Sequence, residues 1–200
     1  MKKKKIALIL NIIIVLLELL GFGYTLSTEH HIALEYYTND SNLITLIGSL
    51  LFIIFYKRKK EFVKDIRFLS TILLTVTFLV VIFILCPMYN FNYKLLMFTN
   101  TFFIYHTLCP IICFISYIFF EEGSKKKYLG LAFTILYSII LISLNFMNIV
   151  DGPYPFLQVT KQSPIMVITW GTIIIGGSYL IGLLIYKLNK QNGKKGANIG

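Results

Sequence analysis

Lys2-Lys3-Lys4-Lys5, followed by Ile6-Ala7-Leu8-Ile9-Leu10-Asn11-Ile12-Ile13-Ile14-Val15-Leu16-Leu17-Glu18-Leu19-Leu20-Gly21-Phe22-Gly23, decides the class of fold. Apolar residues cover every face a helix over 6–23 would present, which is the pattern of a span and not of a surface helix. A bilayer core takes about 20 apolar residues per helical crossing. A basic start, an apolar stretch and the small Gly21 and Gly23 also outline a signal peptide. The apolar stretch is longer than cleaved signals usually carry and holds Glu18, so a retained first helix is expected.

Working outward, the pattern recurs over 38–56, 68–86, 95–120, 128–150 and 164–186. The second run is long enough only if its helix begins at Thr38, ahead of Asn42. Six spans over residues 1–190 leave a Gly-rich end, 191–200, that reads as a disordered cytoplasmic tail. The chain is 56% hydrophobic and 14% charged, with a mean hydropathy of +0.75. That composition excludes a soluble domain. A net charge of +10 could suit nucleic acid, but the charge sits in short clusters between apolar runs. Such placement is an orientation signal.

Of the 19 lysines and arginines, 17 lie at the N-terminus, in 57–67, in 125–127 and at the C-terminus; Lys94 and Lys161 fall in the other set of connections. The expected fold is an all-α integral membrane protein, a six-helix transmembrane bundle with both termini in the cytoplasm. Abundant Lys, Ile and Asn suggest an AT-rich bacterial genome, hence a bacterial cytoplasmic membrane. Membrane lipids are the expected partners, nucleic acid is not, and nothing sets the oligomeric state. Cys86, Cys109 and Cys113 read as buried thiols. No Cys/His cluster has ligand spacing, His30 and His31 read as a solvated pair, and no metal or cofactor is expected. Ser178 and Gly182, with Gly171, Gly176 and Gly177, suggest close packing of the last helix.

Polar groups inside a membrane are costly, so their depth is informative. At about 1.5 Å per residue from the cytoplasmic anchors, Glu18 lies roughly 20 Å up, His106 about 22 Å, Asn145 about 27 Å and Thr38 about 28 Å. These heights lie in the outer half of a core about 30 Å thick. The cytoplasmic half holds little beyond scattered Ser and Thr. The expected site is therefore an outward-facing cavity, with Glu18, Asn39, Ser41, Asn42, Asn145 and Asp151 as substrate-binding candidates. The alternative is that each polar group snorkels or bonds to a neighbouring helix. His106 is the one histidine inside an expected span, and neutral imidazole serves as a general base. Pro110 clashes with the His106 carbonyl and should loosen that turn. Thr38 or Ser41 could be the nucleophile that such a base serves.

Three short motifs carry a resemblance. Tyr37-Thr38-Asn39-Asp40-Ser41-Asn42 is similar to an aromatic-Thr-x-x-Ser-Asn motif, His106 with Pro110 to a His-x-x-x-Pro motif, and Tyr154-Pro155-Phe156 to a Tyr-Pro-Phe element of the last outer loop. Together they resemble the androgen-induced transmembrane hydrolase family and its bacterial six-span relatives. The stretch Phe102-Phe103-Ile104-Tyr105 before the histidine is more apolar than in animal members. The resemblance implies a threonine-dependent hydrolase of lipid esters, with Thr38 as nucleophile, His106 as its base, and Asn39, Asn42 or Asn145 as candidate oxyanion donors. A small transporter or lipid-binding protein using the same polar layer is the other expectation, with Glu18 as a proton- or cation-linked carboxylate.

Overall fold

A computed structural model describes residues 2–58, 60–152 and 154–197. Met1, Lys59, Pro153 and 198–200, which fall at the start of the chain, in the basic connection, in the expected last outer loop and in the expected tail, lie outside the described residues. The elements are α1 (Lys2–Glu29), α2 (Tyr37–Ile54), α3 (Glu61–Met88), α4 (Tyr93–Phe98), α5 (Asn100–Phe120), α6 (Leu129–Phe146) and α7 (Pro164–Ala197). Two short 3₁₀ turns, Pro155–Leu157 and Val159–Lys161, lie between α6 and α7. No strand occurs among the described residues.

Among the described residues, α1, α3, α5, α6 and α7 are long and apolar enough to cross a membrane. α2 is not in that set, because its first turn is Thr38-Asn39-Asp40-Ser41-Asn42. It does begin at Tyr37, so the expected extension through Thr38 is present. α7 continues through 191–197, the first part of the expected tail.

The burial pattern is that of a membrane bundle. Large apolar side chains face outward: Ile165 is 77% exposed, Phe83 71% and Ile168 69%. Asn11, Glu18, Asn42, Ser49 and Arg67 are fully buried. α3 is the central post, packed on α2, α5, α6 and α7. Its Phe68, Ile72 and Leu73 are fully enclosed with Tyr117 and Ile185. Gly130 admits the Ile72 side chain, whose Cγ2 would lie 2.5 Å from any Cβ there. Ser178 bonds Thr134 at 2.8 Å and Gly182 meets Ile72, whereas Gly171, Gly176 and Gly177 face open space. The expected close packing thus belongs to Ser178 and Gly182.

Two prolines reshape their helices. A mid-helix proline has no N–H, and its ring collides with the carbonyl four residues back. Ahead of Pro87 and Pro110 the chain widens into single π turns, Val81–Leu85 and Ile104–Leu108. There Cys86 N bonds Val81 O and Cys109 N bonds Ile104 O, a five-residue spacing. A π turn of this kind commonly marks a functional position.

Two expectations are corrected. The run 95–120 is not one helix: Thr99 is extended (φ −110°, ψ 140°) and Asn100 has φ 46°, so α4 ends before α5 begins. Asn is among the few residues other than Gly that tolerate that conformation. The half of the bundle expected to face the cytoplasm is also not bare of polar groups. Arg67, expected in a connection, is buried in α3. Its Nε and Nη2 donate to Glu121 at 3.0 and 2.9 Å, and its Nη1 donates to Ser49 at 2.9 Å. Glu121 also accepts from Asn11 at 3.0 Å and Ser116 at 2.6 Å. Burying a guanidinium is tolerable when its charge and its N–H groups are matched in this way.

Candidate functional site

The break at Thr99 frees the last carbonyls of α4, and three side chains take them up. Thr99 Oγ1 donates to Leu95 O at 2.6 Å, His106 Nδ1 lies 2.6 Å from Leu96 O, and Thr107 Oγ1 donates to Met97 O at 2.7 Å. The π turn in α5 aims His106 and Thr107 at α4 together. A carbonyl can only accept, so Nδ1 carries the imidazole proton and Nε2 of the neutral ring is a bare acceptor. Phe102 stacks on the ring, with centroids 5.1 Å apart and planes 7° apart, fixing its orientation.

That bare Nε2 faces Thr38 Oγ1 at 3.5 Å. Thr38 sits in the first turn of α2, where its carbonyl accepts from Ser41 Oγ at 2.9 Å and Asn42 Nδ2 at 2.7 Å. Ser41 donates to that carbonyl and so accepts from Thr77 Oγ1 at 3.0 Å, which ties α2 to α3. Thr38, Ser41, Asn42, Thr45 and Ser49 recur at helical spacing, and the last four are fully buried on the face turned to α3.

Tyr154 completes the constellation. Its hydroxyl lies 3.4 Å from Thr38 Oγ1 and accepts from Thr38 N at 3.4 Å. Burial pushes the Tyr154 phenol up to about 12, against the opposing effect of its bonds with Thr38, so it is an O–H donor at neutral pH. Its loop is drawn tight: Gly152 lies where any Cβ would sit 2.5 Å from the Leu157 backbone, and Leu157 N donates to Tyr154 O at 2.8 Å. Tyr154 also stacks on Phe156, with centroids 5.2 Å apart.

A cavity of about 380 Å³ opens on this group; Thr38, Asn39, His106 and Tyr154 line it. On the other side of Thr38 lies a narrow crevice of about 40 Å³, walled by apolar side chains such as Val76, Val80 and Ile174. Thr38, Leu85 and Tyr154 line both.

The structure brings together Thr38, His106 and Asn39, with Ser41 and Asn42 directly beneath. Asn39 Nδ2 donates to Ala33 O at 2.8 Å, holding the preceding loop. Asn145 lies apart and clamps the Tyr154 loop at both ends: Nδ2 donates to Val150 O at 3.1 Å and Oδ1 accepts from Val159 N at 2.9 Å. The Asp151 side chain is 93% exposed, 3.9 Å from Lys161 Nζ, and does not line the cavity. Glu18 does not line it either. It is buried against the Cys109 thiol, and neither of its carboxyl oxygens has a hydrogen bond of normal geometry. No group of His, Cys, Asp and Glu among the described residues could hold a metal.

Sequence reasoning had no role for Tyr154, although the Tyr-Pro-Phe element pointed to it. The Leu96 carbonyl left no signal at all. Comparison with known protein families, curated proteins and solved structures finds no match.

Proposed function

We propose that the chain is a six-span membrane hydrolase of lipid acyl esters, with both termini cytoplasmic and Thr38 and His106 as its reactive pair. The five long apolar helices support a multi-pass bundle. α2 becomes the sixth span once its polar first turn is understood as facing the inside of the bundle. With Arg67 buried in α3, six crossings put the other 16 clustered basic residues on one side, which the positive-inside rule makes the cytoplasm. Impermeant maleimide should then label a cysteine introduced at His31, but not one introduced at Lys125, in intact cells.

The observation that carries the hydrolase reading is the His106 ring itself. Its Nδ1 proton is committed to Leu96 O and its Nε2 faces Thr38 Oγ1. This is the tautomer of a general base, with a backbone carbonyl where serine hydrolases use a carboxylate. A separation of 3.5 Å is at the loose end of the range for a nucleophile and its base.

In the reaction, His106 Nε2 takes the Thr38 hydroxyl proton as Oγ1 bonds to the ester carbonyl carbon. The carbonyl oxygen becomes an oxyanion. The Tyr154 O–H, beside Thr38 Oγ1 at the positive end of α2, is the donor within reach of it. The C–O bond of the alcohol then breaks and the alcohol leaves with the proton from His106. Water, deprotonated by the same nitrogen, releases the acid and restores Thr38. The test is release of free acid from lipid esters by purified protein. Thr38→Ala should reduce it to background, and undiminished turnover in both Thr38→Ala and His106→Ala ends the proposal.

One observation favours a second reading. Glu18 is fully buried, with the Cys109 thiol as its one neighbour among the described residues able to bond to it, as in a proton-linked transporter or a lipid-binding protein. Uptake into proteoliposomes that Glu18→Gln abolishes, without any ester hydrolysis, would select that reading.

A further inference from the structure

The charge and surface of the outer cavity say which kind of molecule it takes. Tyr36, Tyr89, Tyr105, Tyr154 and Phe102 supply aromatic surface around it, and the Glu29 carboxylate joins the lining at the end of α1. Glu29 is close enough to Tyr105 to interact with it electrostatically. Among the described residues, no lysine or arginine lines the cavity. His106, with its one proton given to Leu96, adds no charge. In a chain of net charge +10, a cavity whose single formal charge is negative stands out.

Aromatic faces carry negative potential and attract cations, here with Tyr105 and Tyr154 buried and Tyr36, Tyr89, Phe102 and Glu29 exposed. A carboxylate among them adds direct attraction, while an anionic group would meet like charge with nothing to offset it. The volume of about 380 Å³ accommodates a small cationic group together with an ester linkage. The apolar crevice beyond Thr38 offers no charge of either sign, so a charged end has one place to go.

We infer that the cavity binds esters whose alcohol end is cationic, an ammonium or quaternary ammonium group held between the tyrosines and Glu29. The inference rests on Thr38 and His106 being the reactive pair for which bond is cut. Binding of the cation depends only on the cavity.

The test compares three esters of one acid at equal detergent concentration: hexanoylcholine, its uncharged isostere 3,3-dimethylbutyl hexanoate, and the hexanoyl ester of 4-hydroxybutyrate, which is anionic. Binding is measured by calorimetry on Thr38→Ala protein in a neutral detergent, and hydrolysis is measured on the wild type. Hexanoylcholine should bind about tenfold more tightly than the isostere and more tightly still than the anion. Adding Glu29→Gln should remove most of that gap while leaving the isostere unchanged. Equal binding of the choline ester and its isostere, preference for the anion, or no binding of any of the three overturns the inference. Hydrolysis of all three at equal efficiency leaves the hydrolase reading standing and overturns the cation site. A charge preference in binding with no hydrolysis supports the cation site and removes the hydrolase.

Discussion

His106 Nδ1 lies 2.6 Å from the carbonyl oxygen of Leu96, ten residues earlier in the chain. The bond exists because α4 stops at Phe98 and leaves its final carbonyls unclaimed. It sets the ring's tautomer, and with it the direction in which a proton can move. Nitrogen chemical shifts of His106 in labelled protein should show the Nδ1–H form at pH 7. A ring protonated on Nε2 would remove the argument for a base facing Thr38.

Gly21 makes room for Tyr105, whose Cε1 would lie 2.5 Å from a Cβ at that position. The ring packs on Phe22 at 5.4 Å and lines the cavity, so it cannot swing clear without filling the site. Gly21→Ala should lower thermal stability in detergent by about 1–3 kcal/mol and reduce activity. Gly23→Ala, whose Cβ meets nothing within 4 Å, should leave both unchanged or slightly raise stability.

Arg67 and Glu121 hold four helices together from inside the bundle, through Ser49 and Asn11. Arg67→Met strands a buried carboxylate and should cost about 3–5 kcal/mol. Adding Glu121→Gln removes the stranded charge and keeps an oxygen for Ser116 and Asn11, so the double variant should recover most of the loss. Unfolding in detergent reads both. A double variant no more stable than Arg67→Met would show that the pair is not coupled.

The sequence shows height and hides azimuth. Counting residues from the charged ends of the spans puts Thr38, His106, Glu18 and Asn145 in one layer, and α2 does begin at Tyr37 as that count requires. Rotation about each helix then separated them. Glu18 turns toward Cys109 and Asn145 toward its own loop, while Thr38 and His106 meet across a gap that the count left at about 6 Å. Arg67 was masked by its neighbours, since an arginine beside a basic run reads as an anchor. The break at Thr99-Asn100 contains neither Gly nor Pro, so no local signal announced it. Asn11 reads as one polar residue in an apolar run, yet its amide donates to Glu121 at the end of α5.

The Tyr154 phenol is raised by burial to about 12, above the ordinary value of about 10. A group whose pKa is raised on folding stabilises the fold below its unfolded value, and that contribution is lost as pH rises through the folded value. Tyr154's contribution should therefore be complete below about pH 10 and fall away toward about pH 12. The stability gap between wild type and Tyr154→Phe should narrow over that window, as unfolding curves at stepped pH can show. A gap constant from pH 8 to about pH 12 would mean that the phenol does not titrate with folding.

The central claim is that Thr38 is a nucleophile activated by His106, and covalent labelling tests it most directly. A fluorophosphonate should phosphonylate the purified wild-type protein, and peptide mass spectrometry should place the adduct on Thr38. Thr38→Ala should take no label, and His106→Ala should be labelled at least about a hundredfold more slowly. An adduct at another residue, or labelling of Thr38→Ala at the wild-type rate, would contradict the account.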